Sequence, residues 1–579
     1  MKRTPRGITA ALVAAGAVFV ACSGAQAVQV NWTSTYLPVA IGGGDSWDNG
    51  LNWSSTPSKP TSSDLAYWNL PGSTAKAVFL DTSQSIGSIQ NAGTAQLSIR
   101  GTGHVPANTT IKDNLTIATG DVNVTGSGGI GFGVNIDLGD NLAIWNTSTG
   151  TIDVGYWASG GAGWPGIVNP IRATVPNTTL RKIGTGYIYL RASGPNIGVQ
   201  TLDIQQGELR NGQGNLGTTA KKFNVLLGSD NSLLNWSAQV SDTRGVITYP
   251  DITVVAGATG TRTLSTAHGF GGGTWAGNIQ LNTDLIVSTG GPTYFTGNLT
   301  GTGSINNIRT NAGTPGNVRV TGGTVTYSGK TTINKDAWIV DTTTSGQDNY
   351  TVMSGAALGG EGTIGLKSGA YVKILNGGYL LPGSFKTTAS NSLRVYWHAS
   401  DPSNSGNKNL TDSGNKIGTL TINGNLLLTD NSNLLYRLGD NDLKPYDTVV
   451  LNSTLTLDGR LNIENDTKAG FDTVDGVYTL FTYSGTLVDQ GLDLGDWKMW
   501  RYDNAVKAPW STKTGLPGSP FEFWGRYENL PFPTPASIVT GNGKVNLVFG
   551  VVIPEPGTLL LLGSGALGIL GCFRRRRMR

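Results

Sequence analysis

The sequence has few of the residue types that form disulfides or bind metals. Among 579 residues there are two cysteines and three histidines. Cys22 and Cys572 lie in two apolar segments near the ends, so we expect neither a disulfide nor a thiolate metal site in the body. The histidines are isolated from other ligands and from each other: His104, His268 and His398. The sequence therefore predicts no metal centre and no other cofactor.

Charge is also scarce, at 13% of the residues, with a formal net charge of +4. The excess of basic residues belongs to the ends. Residues 1–27 carry three basic and no acidic residues, and residues 554–579 carry five basic and one acidic, which leaves 33 basic and 36 acidic residues between them. The body is slightly acidic, so the composition predicts no nucleic-acid partner.

The body also lacks any sustained helical period. Short runs of alternating apolar residues, separated by Gly or Asn-Gly, recur instead; examples are residues 115–117, 187–190, 325–327 and 420–422. Such runs predict strands, and therefore an all-β chain. Their recurrence favours a parallel β-helix of about 20 coils, with roughly 20–25 residues per coil and a length of about 100 Å. Tandem β-sandwiches are the alternative.

A resemblance to a known repeat supports the β-helix. Leu180-Arg-Lys-Ile-Gly-Thr-Gly-Tyr-Ile-Tyr-Leu190, followed by Thr201-Leu-Asp-Ile-Gln-Gln-Gly-Glu-Leu209, resembles the autotransporter-associated β-strand repeat. Further similar stretches extend the resemblance over residues 30–490. It implies a right-handed parallel β-helix of the passenger type.

Two aromatic blocks flank the predicted repeats. Residues 28–74 hold Trp32, Trp47, Trp53 and Trp68, and residues 491–553 hold a second block with eight aromatic residues in 497–527. Such residues can cover the ends of a solenoid or stack on sugar rings. We expect caps on both ends of a body that spans residues 75–490. The candidate glycan-stacking residues are Trp497, Trp500, Trp510 and Trp524.

Catalytic signatures are missing from the acidic stretches. Asp440, Asp442 and Asp447 form the densest group, and Asp472 and Asp475 form a second. Asp in Gly- and Asn-rich loops commonly shapes turns through bonds to the backbone. The first group begins like a calcium loop but lacks the Gly at position 6 and the Glu at position 12. We therefore predict no catalytic residue.

The N-terminal segment has the three parts of a secretory signal peptide. Lys2, Arg3 and Arg6 precede an apolar run over residues 8–22, and Ala25 and Ala27 form a small-residue cleavage site. We expect a signal helix in residues 1–27, with cleavage after Ala27. The alternative is a lipoprotein signal, in which Cys22 would carry the lipid.

Residues 554–579 combine three features of a sorting signal. Pro554, Glu555 and Pro556 precede an apolar run over residues 558–573, which as a helix would measure about 24 Å. A cluster of five arginines ends the segment: Arg574, Arg575, Arg576, Arg577 and Arg579. We expect a single transmembrane helix with this cluster on the cytoplasmic side. The order of parts resembles the PEP-CTERM sorting signal, which implies processing by an exosortase near Pro554-Glu555-Pro556.

The sequence thus predicts an exported protein, held briefly in the inner membrane and then placed at the cell surface or released. Its favoured function is that of a noncatalytic surface or extracellular-matrix protein associated with exopolysaccharide, biofilm or envelope glycans. The alternatives are a secreted polysaccharide lyase or hydrolase on the same scaffold, and an adhesin. A ladder of carboxylates along a sugar-sized groove would favour the enzyme.

Overall fold

The computed structural model describes most of the body in a series of ranges. They are residues 28–33, 45–49, 52–54, 58–72, 75–101, 113–155, 171–190, 197–211, 216–217, 223–236, 246–257, 260–266, 273–290, 292–309, 317–385, 415–438, 446–465, 476–502, 525–530 and 536–549. These ranges contain no α-helix. The all-β prediction is confirmed for them, whereas the predicted signal helix and C-terminal helix lie outside the described residues.

The strands are short, and they are numbered here in chain order. They are β1 (Gln29–Asn31), β2 (Asp45–Ser46), β3 (Leu65–Trp68), β4 (Lys76–Leu80), β5 (Gln84–Ile86), β6 (Ser88–Asn91), β7 (Leu97–Gly101), β8 (Asn114–Ile117), β9 (Val122–Val124), β10 (Ile130–Gly133), β11 (Asn135–Leu138), β12 (Leu142–Thr147), β13 (Thr151–Val154), β14 (Ile171–Ala173), β15 (Thr179–Ile183), β16 (Tyr187–Leu190), β17 (Ile197–Gly198), β18 (Thr201–Asn211), β19 (Asn224–Trp236), β20 (Val246–Thr248), β21 (Asp251–Val254), β22 (Arg262–Ser265), β23 (Gly273–Trp275), β24 (Ile279–Leu281) and β25 (Leu285–Thr289).

The second half continues in the same manner. It contains β26 (Pro292–Phe295), β27 (Leu299–Gly301), β28 (Ile305–Arg309), β29 (Asn317–Val320), β30 (Thr331–Ile333), β31 (Asp336–Val340), β32 (Tyr350–Val352), β33 (Ala356–Gly360), β34 (Thr363–Gly365), β35 (Tyr371–Ile374), β36 (Tyr379–Pro382), β37 (Ser384–Phe385), β38 (Asn415–Lys416), β39 (Thr419–Asn423), β40 (Asn425–Leu428), β41 (Asn433–Leu438), β42 (Thr448–Leu451), β43 (Leu455–Leu457), β44 (Arg460–Asn465), β45 (Gly476–Tyr483), β46 (Leu487–Asp489), β47 (Asp493–Tyr502), β48 (Gly525–Leu530), β49 (Ala536–Gly541) and β50 (Lys544–Phe549).

Parallel pairing arranges these strands in three columns. Column 1 stacks β1, β3, β6, β9, β12, β15, β18, β19, β21, β24 and β27, continues through bridges at Val325 and Thr343–Thr344, and ends with β34, β39, β42 and β45. Column 2 stacks β2, β4, β7, β10, β13, β16, β18, β19, β22, β25, β28, β30, β32, β35, β40, β43 and β46. Column 3 stacks β5, β8, β11, β14 and β17, and then β20, β23, β26, β29, β31, β33, β36, β41, β44 and β47.

The chain visits the three columns in turn, which is the arrangement of a parallel β-helix. Columns 1 and 2 each have seventeen levels in the described residues, so the stack is about 80 Å long at about 4.8 Å per level. This is somewhat shorter than the predicted 100 Å because some coils are longer than predicted. Thr363 pairs with Thr421 of the next level, 58 residues later.

The interior of the stack explains the alternating sequence pattern. On column 1 the inward side chains of successive levels lie in register, with Val122 beside Trp145 and Leu227 beside Val254. All four are fully buried. Outward neighbours in the same strands are half-buried polar residues, such as Asn123. Each level therefore buries one apolar face against the levels above and below it.

One inward position of column 1 holds a charged residue. Lys182 lies between Trp145 and Ile204 of the adjacent levels and is fully buried. Its Nζ donates hydrogen bonds to the carbonyl oxygens of Ile183 at 2.8 Å, Gly184 at 2.6 Å and Gln206 at 3.0 Å. The lysine thus satisfies carbonyls at the turns of two successive levels.

The glycines of the repeat pattern make room for this ammonium group. Gly184 and Gly207 adopt φ angles of 76° and 73°. A Cβ at Gly207 would lie 2.3 Å from the Gly184 oxygen and 2.8 Å from Lys182 Nζ. Lys182, Gly184 of the same stretch and Gly207 of the next level therefore form one structural unit, in which the lysine binds carbonyls at the turns beside these glycines.

Side chains at another corner link four successive levels in the middle of the stack. Asp251 Oδ1 accepts the N–H of Asn278, Asn278 Oδ1 accepts that of Asn298, and Asn298 Oδ1 accepts that of Thr324. The acceptor stands 20 to 27 residues before the donor, which is one coil. These bonds give the Asn-rich turns a physical role, because they satisfy backbone N–H groups that have no strand partner.

The N-terminal aromatic block is a packed cluster. Trp47, Trp53 and Trp68 are fully buried, with ring centroids 5.0 to 5.6 Å apart. Trp32 packs edge-on against Trp53 at 4.9 Å, and Trp53 Nε1 donates to the Trp47 carbonyl at 3.0 Å. The cluster fills the interior of the first levels, so its three buried rings offer no face to a sugar.

Candidate functional site

The residues of the predicted targeting signals lie outside the described residues. This holds for Ala25 and Ala27 of the signal peptidase site, for Pro554, Glu555 and Pro556, and for the arginine cluster. Among the residues that the structure describes, no helix is long and apolar enough to cross a membrane. The apolar run at 558–573 is not among them, so its role as a membrane helix stays a prediction.

The candidate glycan-stacking residues are placed only in part. Trp497 and Trp500 belong to β47, whose antiparallel partner β48 sets Trp497 opposite Leu530 and Trp500 opposite Tyr527. The positions of their side chains are not described. Trp510 and Trp524 lie outside the described residues. Sugar binding by this block therefore stays a prediction, anchored only by the backbone of the last strand of column 3.

One of the acidic residues considered for catalysis belongs to a buried ion pair. Asp447 is fully buried, and its carboxylate accepts the backbone N–H groups of Gly418 and Arg437, both at 2.9 Å. The Arg437 guanidinium donates to it through Nε at 2.9 Å and Nη2 at 3.2 Å. Burial raises the pKa of the Asp447 carboxyl, and the charge of Arg437 opposes that rise.

This geometry gives Asp447 a structural role. Its two oxygens are occupied by four donors, and it joins the starts of β39 and β42 to β41. The carboxylate does bond to the backbone, as predicted for such residues, but its partners stand 29 and 10 residues earlier in the chain, so it connects strands and does not shape a local turn. The ion pair was not predicted. Asp440, Asp442, Asp472 and Asp475 lie outside the described residues. In the described ranges no group of three or more His, Cys, Asp or Glu side chains could hold a metal ion.

The described element nearest to the sorting signal is a small antiparallel sheet, here called the terminal sheet. It consists of β45, the last strand of column 1, followed by β50 and then β49. A two-residue turn joins β49 to β50, with Asn542 at φ 49° and Gly543 at φ 71°. Positive φ at both central residues is the geometry of a type I′ hairpin, for which Asn-Gly is the preferred sequence.

The inner face of the terminal sheet belongs to the core. Leu547 is fully buried and Phe549 is 1% exposed. The Phe549 ring packs edge-on against Tyr478 of β45 at 5.8 Å, and Tyr478 packs against Tyr446 at 5.4 Å. These contacts fix the end of β50 on the last level of column 1. We expect the sheet to be as rigid as the solenoid at this point.

The outer face of the terminal sheet has two uncharged rows and a third row in which Lys544 lies opposite Thr482 and Gly541. Val477, Val548 and Ser537 lie side by side across the three strands, and Thr479, Asn546 and Val539 form the next row. Directly opposite residues of antiparallel strands point to the same face. Val477 is 53% exposed and Val539 is 47% exposed, whereas Val548 between them is buried. Thr479 donates to Asn546 at 2.9 Å across the sheet.

The sorting segment starts close to this sheet. Phe549 pairs with Gly476 of β45 and Ala536 of β49, and only residues 550–553 separate it from Pro554. Five Cα–Cα steps reach at most about 18 Å. Residues 491–553 were predicted to form a cap, and the hairpin was not predicted. The Asn542-Gly543 pair between alternating apolar residues was the signal that could have found it.

Comparison with known proteins identifies the C-terminal segment. Residues 552–577 match the family described as the PEP-CTERM protein-sorting motif. The match contains Pro554-Glu555-Pro556, the apolar run and four of the five arginines. The chain therefore carries a PEP-CTERM sorting motif, which confirms the resemblance found in the sequence. The roles of its individual residues stay predictions.

The body is similar in part to a bacterial adhesin. Over 89 residues the chain is 39% identical to the protein named Adhesin BmaC autotransporter of Brucella suis biovar 1 (strain 1330). The aligned stretch covers 15% of this chain and 2% of that protein, so it spans a small fraction of either. This partial similarity agrees with the passenger-like body predicted from the repeats.

Proposed function

We propose that this chain is a noncatalytic surface or extracellular-matrix protein that an exosortase processes after export. The observation that carries the proposal is the PEP-CTERM motif at residues 552–577. The signal peptide would start export, the apolar run would hold the chain in the inner membrane, and processing near Pro554-Glu555-Pro556 would release the body. The mature protein would then reside at the cell surface or outside the cell.

The fold supports a structural role for the body. Three parallel columns about 80 Å long, with polar bonds between successive levels at the corners, make a stiff rod. We propose that it winds right-handed, as the repeat resemblance implies, and that it associates with exopolysaccharide. The aromatic block at 497–527 is the proposed contact with glycans.

A second candidate function is adhesion. The similarity to a protein named as an adhesin favours it, although the similarity covers only 89 residues. The loops that connect the strands of such a rod can present a binding surface for a partner cell or matrix. Binding of the purified body to host-cell or bacterial surfaces, rather than to isolated exopolysaccharide, would favour adhesion over a matrix role.

Alanine substitution of the motif tests the proposed function. Cells would express the full chain, a Pro554→Ala/Glu555→Ala/Pro556→Ala variant, and a matched control with Pro531→Ala/Pro533→Ala/Pro535→Ala. We expect the motif variant to remain in the inner-membrane fraction, while the wild type and the control reach the outer surface or the medium. Equal surface delivery of the motif variant would contradict the proposal.

A further inference from the structure

We propose that the outer face of the terminal sheet is a docking surface for the exosortase, an inference that rests on the proposed function. Of the described residues, five large hydrophobic side chains are exposed, namely Val28, Leu142, Val477, Val488 and Val539. Three of them, Val477, Val488 and Val539, lie on the last strands of the solenoid. Exposed apolar side chains are thus concentrated at the end from which the sorting segment departs.

Two of these valines share a surface beside the departing chain. Val477 and Val539 lie on the outer face of the terminal sheet, on the two strands that flank β50, with Val477 opposite Val548 and Val539 one row away, opposite Asn546. Val477 follows Gly476, the residue paired with Phe549. We call Val477, Val548 and Val539 the apolar patch. The sorting segment therefore leaves the sheet one residue from the edge of this patch.

The short connection determines which partner meets the patch. Pro554 lies at most about 18 Å from Phe549, and Phe549 is fixed in the core. An enzyme that binds Pro554-Glu555-Pro556 must therefore approach the terminal sheet itself. Contacts with the sheet would add to the binding of a short motif and would select chains whose last coil is folded.

The chemistry of the surface favours a protein over a lipid partner. The six residues of the two rows nearest Phe549 are valine, serine, threonine and asparagine, and the third row adds a single lysine, Lys544. Binding to a lipid surface usually needs a large apolar face or a basic cluster. A small apolar patch with polar neighbours and one lysine is neither of these, and it fits a transient protein contact, such as that between a substrate and its processing enzyme.

Substitution of the two valines tests the docking surface. Cells with the exosortase would express the wild type, Val477→Ser/Val539→Ser, and the control Leu142→Ser, which changes an exposed apolar residue far from the sorting segment. Pulse-labelling and intact mass would give the rate at which the C-terminal segment is lost. We expect the C-terminal segment to be lost roughly tenfold more slowly from Val477→Ser/Val539→Ser. Docking would cover the exposed halves of two valines, and this removes about as much apolar surface from water as burying one whole valine. The control should match the wild type.

The outcomes separate this inference from the proposed function. Equal rates for all three chains would overturn the docking surface alone, whereas a wild type that keeps residues 554–579 would overturn the proposed function and the inference together. Urea unfolding of the purified variants should be unchanged, since both valines are half exposed.

A body ending at residue 553 should not float with vesicles of phosphatidylethanolamine and phosphatidylglycerol. Flotation that the two substitutions abolish would instead assign the surface to lipid and overturn the exosortase as its partner.

Discussion

Removal of the buried carboxylate at Asp447 should loosen the C-terminal third of the solenoid. In Asp447→Asn the side chain keeps its shape, but Arg437 loses its counter-charge inside the protein. The side chains of Arg437 and Asp447 are 3% and 0% exposed, so water cannot replace the lost charge. In the wild type both carboxylate oxygens of Asp447 accept hydrogen bonds from N–H groups. The amide N–H₂ group of the asparagine would therefore face other donors.

The expected magnitude follows from the burial of the pair. Removing one partner of a buried ion pair typically costs about 3–5 kcal/mol. Because every 1.4 kcal/mol is about tenfold, local opening should become roughly 10²- to 10⁴-fold more frequent. The effect should be local, since a stacked solenoid couples mainly neighbouring levels. The affected strands are β39, β41 and β42, which the carboxylate joins.

Hydrogen exchange measured by mass spectrometry is the assay. Peptides from β39, β41 and β42 should exchange faster by that factor in Asp447→Asn, while peptides from β9 and β12 should not change. An Arg437→Met/Asp447→Leu double variant should recover most of the protection, since an apolar pair leaves no buried charge. Protection of the single variant within about threefold of the wild type would refute the assignment of Asp447 as a structural ion-pair residue.

Two other buried sites make further predictions. Burial lowers the pKa of the Lys182 ammonium group to about 7, so between about pH 7 and pH 10 the unfolded chain binds more protons and the stability of these levels should rise with pH. Urea unfolding or hydrogen exchange of β15 and β18 should show this rise in the wild type but not in Lys182→Met; equal pH slopes would contradict it. Trp68→Ala should destabilise the first levels by about 3–5 kcal/mol, because it leaves a cavity among three other tryptophans. Faster exchange in β3 and β6 is the expected result, and unchanged exchange there would show that the cluster contributes little.

Much of the architecture could be predicted because it depends on local pattern. Alternating apolar runs separated by turn residues predict strands wherever they occur, and their recurrence predicts stacking. Parallel pairing in three columns agrees with that prediction. The stretch from Lys182 to Gly186 could also be recognised, because it is short, whereas Gly207, which borders the same ammonium group, stands 25 residues after the lysine. What the pattern could not reveal was that Lys182 points inward, where alternation alone would place an apolar residue.

The remaining features depend on contacts that the local sequence does not encode. Arg437 and Asp447 are ten residues apart across a connection, and nothing in their spacing indicates a buried pair. The exposed valines of the terminal sheet share a face only because β50 lies between β45 and β49, which are more than 50 residues apart in the chain. Function is similar in this respect: the sorting motif is local and recognisable, whereas a ligand surface on the rod depends on tertiary placement.

Intact-mass analysis of the exported protein tests the central claim most directly. The chain would be recovered from the envelope and from the medium of cells that contain the exosortase, and its C-terminus would be read from the mass. We predict a species that begins at Val28 and ends near Ile553. A species that still carries Arg574 to Arg579 in both fractions would contradict it.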